Sequence, residues 1–262
     1  STALILGDFS NGNDGVVVKG DLGLADLKGK SVNLVELSVS HYLLARALDA
    51  AGIAERDLTV VNTSDADMVA AFKTPKVEAV VTWNPLLSEI AAEPGAKVLY
   101  TSADIPGEII DMLVVNTETL ADNPDFGKAL VGAWYETMTV MMKDDEEGKA
   151  ARSFMGEKSG TDLAGYDAQI ATTKMFYDPA EAVAFAKSEK LIETMDVVLN
   201  FLLVCGSFAL ALTFFAAALT LFFEFCLAFR SHARSTRRNR AETFRLGYRH
   251  SHHRFTHASL LI

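Results

Sequence analysis

The sequence predicts an α/β protein built as two lobes, and two observations predict it. Strand-like and helix-like segments alternate through the first hundred residues. A complete α/β unit between Lys30 and Ala103 is bracketed by apolar strand signals, Ala3–Leu6 ahead of it and Ile109–Val115 behind it. Such bracketing suits a chain that enters and leaves an inserted lobe through a hinge. A plain single-sheet α/β domain is the competing arrangement on pattern alone.

The elements follow in order. Ser31–Val35 reads as a strand behind Gly29. Ser40–Ala51 reads as a helix, because Leu43, Leu44, Ala47, Leu48 and Ala51 share a face and Gly52 can end it. Leu58–Val61 is a short apolar strand, and Asp65–Phe72 a helix with an acidic first turn. Glu78–Thr82 is a strand, Asn84–Ala92 a helix and Lys97–Tyr100 a strand. This β-α-β-α order predicts a mostly parallel sheet flanked by helices. Ala3–Lys19 is expected to pair with Ile109–Val115 in the other lobe. Helices follow over Pro124–Lys143, Glu146–Met155, Gly160–Thr172 and Pro179–Ser188. The expected divisions are 1–29 (part of lobe one and hinge), 30–104 (lobe two), 105–196 (return strand and helices of lobe one), 197–229 (a hydrophobic helix) and 230–262 (an irregular tail).

Charge divides the chain sharply. Residues 1–196 carry 16 Lys and Arg against 32 Asp and Glu, a net charge of −16; the remainder carries 8 Arg against Glu224 and Glu242, a net charge of +6. All 13 lysines lie in the front piece and five of the six histidines in the back. One compact domain rarely divides this way. The acidic front would repel phosphates, which argues against nucleic-acid binding. It has no cysteine, hence no disulfide and no thiolate metal site or nucleophile; Cys205 and Cys226 both lie in the back piece. No signal peptide starts the chain, and Ser1 opens almost directly on an apolar run, as though an upstream part were missing.

Four stretches place polar groups where an α/β lobe would use them. Asp8, Ser10, Asn11 and Asp14 follow the opening strand, around a Gly12-Asn13 turn signal; an ordinary solvated turn is the alternative. Ser38, Ser40 and His41 lie between a strand and a helix, where serine caps the helix and free N–H groups attract anions or polar oxygens; simple capping explains them equally. His41 alone makes no metal site and is readily a packed or hydrogen-bonded side chain. Trp83 and Asn84 stand at the next strand-to-helix turn, where an indole can wall a pocket or fill a core. Glu108 follows Ile105-Pro106-Gly107, which reads as a hinge, with a plain surface charge as its other reading. Ligands of open α/β sheets collect beyond the carboxyl ends of strands, where two of these stretches lie. There is no Gly-x-Ser-x-Gly elbow, no Walker loop and one histidine in the front piece, so no catalytic set, metal or cofactor is expected.

The residues then resemble a known family. Ala25-Asp26-Leu27-Lys28-Gly29-Lys30-Ser31-Val32, followed by Ser38-Val39-Ser40-His41-Tyr42-Leu43-Leu44-Ala45-Arg46-Ala47-Leu48, is similar to the sulfonate, nitrate and taurine group of periplasmic solute-binding proteins, which shares its fold with the thiamine-precursor (NMT1/THI5-like) binders. Asp65–Phe72 and Ala79–Pro85 match that group's next two motifs, and Asp8–Asp14 with Ile105–Asp111 resemble its urea-carboxylase-associated branch. The resemblance covers about Ala3 to Met195. It implies a type II periplasmic-binding-protein fold, a two-lobed Venus flytrap whose first lobe is incomplete. It also implies capture of a small molecule in the periplasm or at the outer face of the cytoplasmic membrane, with an ABC permease and ATPase as partners. Leu37 stands where that family usually has glycine. Eukaryotic relatives that synthesise the thiamine pyrimidine carry a cysteine cluster absent from this front piece, which favours binding over synthesis.

Val197–Phe223 is 27 residues without a charge, long enough to span a bilayer, and the arginine-rich run after it is a positive-inside flank. The family lacks this segment, so translation from a shifted frame or a misjoined fragment is the other reading. Val197–Phe229 is expected not to pack into the lobes. The expected ligand is urea, guanidine or a related amide, because carboxylates favour N–H groups and a serine-capped helix start suits carbonyl oxygens; taurine or another sulfonate is the alternative.

Overall fold

A computed structural model describes residues 1–205. Eight strands divide between two sheets. They are β1 (Thr2–Ser10), β2 (Asp14–Lys19), β3 (Ser31–Leu34), β4 (Thr59–Asn62), β5 (Ala79–Trp83), β6 (Ala96–Thr101), β7 (Ile110–Val115) and β8 (Thr173–Met175). The smaller sheet has the order β7-β1-β8 and the larger the order β4-β3-β5-β2-β6. The helices are α1 (Val39–Ala51), α2 (Asp65–Lys73), α3 (Leu86–Ala91), α4 (Thr117–Asp122), α5 (Pro124–Met141), α6 (Glu146–Lys158), α7 (Leu163–Ile170), α8 (Pro179–Ala186) and α9 (Glu189–Cys205).

The larger sheet forms around β5. Ala79, Val80, Val81 and Thr82 are all fully buried, as a central strand covered on both faces requires. One face carries Val16, Val18, Val32, Leu34 and Val81 against the Leu43-Leu44-Ala47-Leu48 stripe of α1. The other carries Val17 and Val80 against Met68 and Phe72 of α2 and Leu87 and Ile90 of α3. Burying a side chain such as Phe72 stabilises by roughly 1.5–3 kcal/mol. Helix α1 starts where Ser38 Oγ accepts from Ser40 N–H and stops at Gly52, whose φ of 68° is left-handed.

The segment Ala3–Lys19, expected to pair with Ile109–Val115, divides between the two sheets. Asn11–Asn13, with Gly12 at φ 111°, breaks it. The first half pairs antiparallel with β7, while Asp14–Lys19 joins the larger sheet between β5 and β6. The turn signal was present in the sequence; that the chain changes sheets there was not. Because β2 runs antiparallel to both neighbours, the larger sheet is mixed rather than mostly parallel, with only the β3–β4 and β3–β5 pairs parallel. Helix α4 and strand β8 were also missed. Each is short and takes its identity from its neighbours: β8 pairs with β1 over Asp8–Ser10 alone.

The expectation that the chain from Val197 stands clear of the lobes fails for the residues described. The helix begins at Glu189, and Leu191, Thr194 and Val198 are buried along one face. Val197, Phe201 and Leu202 pack on the α1 core, with the Phe201 ring edge-on to His41 and Tyr42. The charge-free run hid this stripe because it begins in mid-helix, past the charged first turns. Among the described residues no helix is long and apolar enough to cross a membrane. The rest of the proposed span and the tail, 206–262, lie outside the described residues.

A candidate ligand site where the two sheets meet

Strand directions bring the polar turns together. β3 and β5 are parallel, so their carboxyl ends, and the turns that begin at Val35 and Asn84, lie at one end of the larger sheet. β2 is antiparallel to β5 and pairs Asp14 with Trp83; β6 is antiparallel to β2 and pairs Thr101 with Gly15. Asp14, Ser38, Trp83 and Ser102 therefore share one end of this sheet. Both crossings to the smaller sheet leave from that end.

The two crossings are stitched by buried hydroxyls. Ser10 Oγ donates to Asp14 Oδ2 at 2.5 Å and lies 2.6 Å from Ser102 Oγ. Ser102 Oγ also accepts from the N–H groups of Gly12 at 2.7 Å and Asp14 at 3.3 Å. With both of its lone pairs filled by N–H donors, Ser102 gives its own proton to Ser10, which gives its proton to Asp14. Asp14 is only 2% exposed. Burial and the charge of Asp111 push its pKa up to about 6, against the lowering effect of the Ser10 and Asn13 hydrogen bonds. Across the β1–β7 ladder Asp8 stands opposite Asp111. Burial, then the Asp111 charge and a hydrogen bond between the two, push Asp8 up to about 7; burial raises Asp111 as well.

The remaining sequence-predicted residues divide into two groups. Asn11 N–H donates to Thr172 O at 2.9 Å, and Asn84 reaches the same residue through Nδ2, 3.4 Å from Thr172 Oγ1. Asn84 N–H donates to Asn13 O at 2.9 Å, which ties the Trp83 turn to the first crossing. Ser38 caps α1, and the fully buried Ser40 hydroxyl has no hydrogen-bond partner. His41 and Glu108 sit behind the site. His41 is 2% exposed, its Nδ1 accepting from Leu37 N–H. Glu108 accepts from Tyr42 Oη at 2.7 Å, from Arg46 Nε at 2.8 Å and Nη2 at 3.3 Å, and from Lys190 Nζ at 3.4 Å. Burial alone would raise the Glu108 carboxyl, but the Arg46 and Tyr42 hydrogen bonds and the charges of Arg46 and Lys190 outweigh it and hold the pKa below its ordinary value. It is buried rather than a surface charge, and its partners pin the return crossing to α1.

Ser102, Asp111, Tyr42, Arg46, Thr172 and Lys190 were not foreseen. Their partners lie far away in sequence, 92 residues in the case of Ser10 and Ser102, and no local pattern marks such a pair. The one available hint was Arg46, a cation next to the apolar stripe of α1.

The comparisons with known proteins agree with this fold. A protein of Brucella abortus (strain 2308), which bears a binding-protein name without a ligand in it, is 29% identical over 135 residues. The match covers 50% of this chain and 42% of that protein, so the chain spans less than half the length of this relative. A protein of Escherichia coli (strain K12) named for binding aliphatic sulfonates is 38% identical over 82 residues, 31% of this chain and 26% of its own. The solved alkanesulfonate-binding protein SsuA of Xanthomonas axonopodis pv. citri, bound to MOPS, superposes with a TM-score of 0.59 at 18% identity, over 77% of this chain and 68% of that one. That likeness shows the α/β fold of a periplasmic binding protein. The family model described as NMT1/THI5 like matches residues 14–148, from the buried Asp14 through the whole larger sheet to α6, and the chain belongs to that family.

Proposed function

We propose that this protein is the substrate-binding component of an ABC importer. It works in the periplasm or at the outer face of the cytoplasmic membrane, and it captures a small nitrogen compound such as urea, guanidine or a related amide for a permease and its ATPase. Binding rather than catalysis is the reading the relatives' names favour. The observation that carries it is the convergence of Asp14, Trp83, Asn84 and the Ser38–Ser40 helix start at one end of the larger sheet, with Asp111 near enough for its charge to act on Asp14. In this reading the carboxylates take N–H donors, the first turn of α1 takes an oxygen, and Trp83 stacks on a planar group. Asn11 closes the site from the first crossing. Ser10, His41 and Glu108 support it without touching ligand.

A sulfonate such as taurine is the second reading. The capped α1 start with its unpartnered Ser40 hydroxyl suits an anion, and the Escherichia coli and Xanthomonas relatives carry sulfonate-binding names. Calorimetry across pH separates the two. The site carboxyls ionise near pH 6 for Asp14 and 7 for Asp8. Guanidinium binding is therefore expected to strengthen about tenfold or more between pH 5.5 and 8, as both carboxyls lose their protons. Taurine binding would weaken over the same range, and urea would change little. Tight taurine binding with no response to urea or guanidine overturns the first reading. Turnover of any bound compound would move the protein to the enzyme class.

A further inference from the structure

The turn between β3 and α1 contains a backbone conformation that its residue does not favour. Leu37 has φ +61°, and among the described residues every other positive φ belongs to glycine. A side chain in this left-handed region crowds the following carbonyl, at a cost equivalent to a shift of roughly five- to thirtyfold in the turn's population. Something must compensate. The Leu37 side chain is 51% exposed, so packing does not hold it. Its N–H group does: it donates to His41 Nδ1 at 3.1 Å, four residues on.

The His41 ring is backed from one further direction. With Nδ1 accepting, the ring proton is on Nε2, which lies 3.1 Å from Glu55 Oε1 outside hydrogen-bond geometry. Phe201 of α9 stands edge-on to the ring, centroids 5.4 Å apart and planes at 83°. The neighbouring turn bonds are set by the same geometry: Ser38 Oγ donates to Val35 O at 2.7 Å, and Glu36 N–H donates to Asn62 Oδ1 at 3.0 Å.

We propose that His41 is a positioning residue for the ligand turn: its Nδ1 holds Leu37 in the left-handed conformation, so that the first turn of α1 is presented from Ser38 as the helix start a ligand meets, with α9 backing the ring. This inference rests on the ligand site proposed above. It assigns to a buried histidine a task that core filling alone does not require.

The strain at residue 37 supplies the test, because glycine adopts the same turn without help. In the 262-residue chain, with no ligand added, the Leu37 amide is expected to be protected from hydrogen exchange and His41 Nδ1 to show the ¹⁵N shift of an unprotonated nitrogen. His41→Asn places its Oδ1 where Nδ1 stood and should retain protection within about twofold. His41→Gln moves its amide to the Nε2 position and should lose protection by roughly five- to thirtyfold, the population shift that the strain implies. The damage done by His41→Gln, read as lost thermal midpoint, should shrink when Leu37→Gly is added. Equal damage in the Leu37 and Leu37→Gly backgrounds makes His41 a core residue only and overturns the proposal. A protonated Nδ1 in the unmutated protein overturns it too, even if His41→Gln does not fold. Whichever of guanidine and taurine binds should bind His41→Gln roughly five- to tenfold more weakly and the double variant nearly as well as the parent. Failure of both probes to bind the parent overturns the ligand-site reading, whereas the exchange and ¹⁵N arms judge the His41–Leu37 contact with no ligand present.

Discussion

The two sheets are stabilised in different ways. The five-stranded sheet is covered on both faces: Val16, Val17, Val18, Val32, Leu34, Val80 and Val81 are fully buried between α1 on one side and α2 with α3 on the other. The three-stranded sheet has Ile5 and Ile110 near complete burial and relies on an aromatic group, Phe9 with Phe176 and Phe185, contributed by α8 and the residue after β8. Its strand β7 leaves Val114 43% exposed. The larger sheet thus carries its own core, whereas the smaller one depends on helices that arrive late in the chain and on the crossings. In the proposed site, the groups on the larger sheet are pre-placed, whereas Asp8 and Asp111 on the smaller sheet are placed only as well as the junction is held.

The largest expected effect breaks the comparison at its strong side. Phe72→Ala empties a fully buried position between β2, β5 and α2 and should cost about 3–5 kcal/mol in thermal unfolding. Phe9→Ala in the smaller sheet, where the ring is only partly buried, should cost about half as much. Equal costs would mean that the sheets share one core. Next comes the junction. Glu108→Gln keeps the shape but removes the charge that answers Arg46 and Lys190, and a loss of about 2–3 kcal/mol is expected, with faster hydrogen exchange in β7 than in β5. Unchanged exchange in β7 would show that the crossing does not support the smaller sheet.

The smallest effect sharpens the comparison through pH. The folded-state pKa of Asp8, about 7, lies above the ordinary carboxylate value of 3.8, so the folded protein holds this proton more tightly than the unfolded chain does. The sign is that stability contributed by the protonated form is full below pH 4, falls as pH rises from 4 to 7 and is lost above 7. Asp8→Asn should therefore remove part of that slope and stabilise the protein at pH 8 by about 1–2 kcal/mol, with little effect at pH 4. A thermal-midpoint profile over pH 4–8 that is identical in both proteins would show that neither burial nor Asp111 raises the Asp8 carboxyl.

Much of the larger sheet was legible because its signals are local. The Leu43-Leu44-Ala47-Leu48 stripe between Ser38 and Gly52 specifies α1 to within one residue, and the Ala79–Thr82 run specifies a buried strand. The candidate site was half legible. Ser38, Trp83 and Asn84 follow strands and were found by position; Asp14 was found as part of a turn, though not as the first residue of a strand in the other sheet. The roles of His41 and Glu108 were not readable, since a histidine or glutamate in sequence carries no mark of the partners that occupy it. The charge-free run after Asp196 misled in the other direction: composition pointed to lipid, and its first residues turned out to cover α1.

By itself the sequence determined the class of fold, the family and the turns where polar groups gather, because periodicity and capping act over four or five neighbouring residues. Only the tertiary structure decided that the chain changes sheets at Gly12, that Ser102 joins Ser10 and Asp14, and that Glu108 pairs with Arg46 and Tyr42. Those contacts join residues 62 to 92 positions apart. Their formation depends on strand order and direction, which the pairing of whole sheets sets and no local pattern encodes.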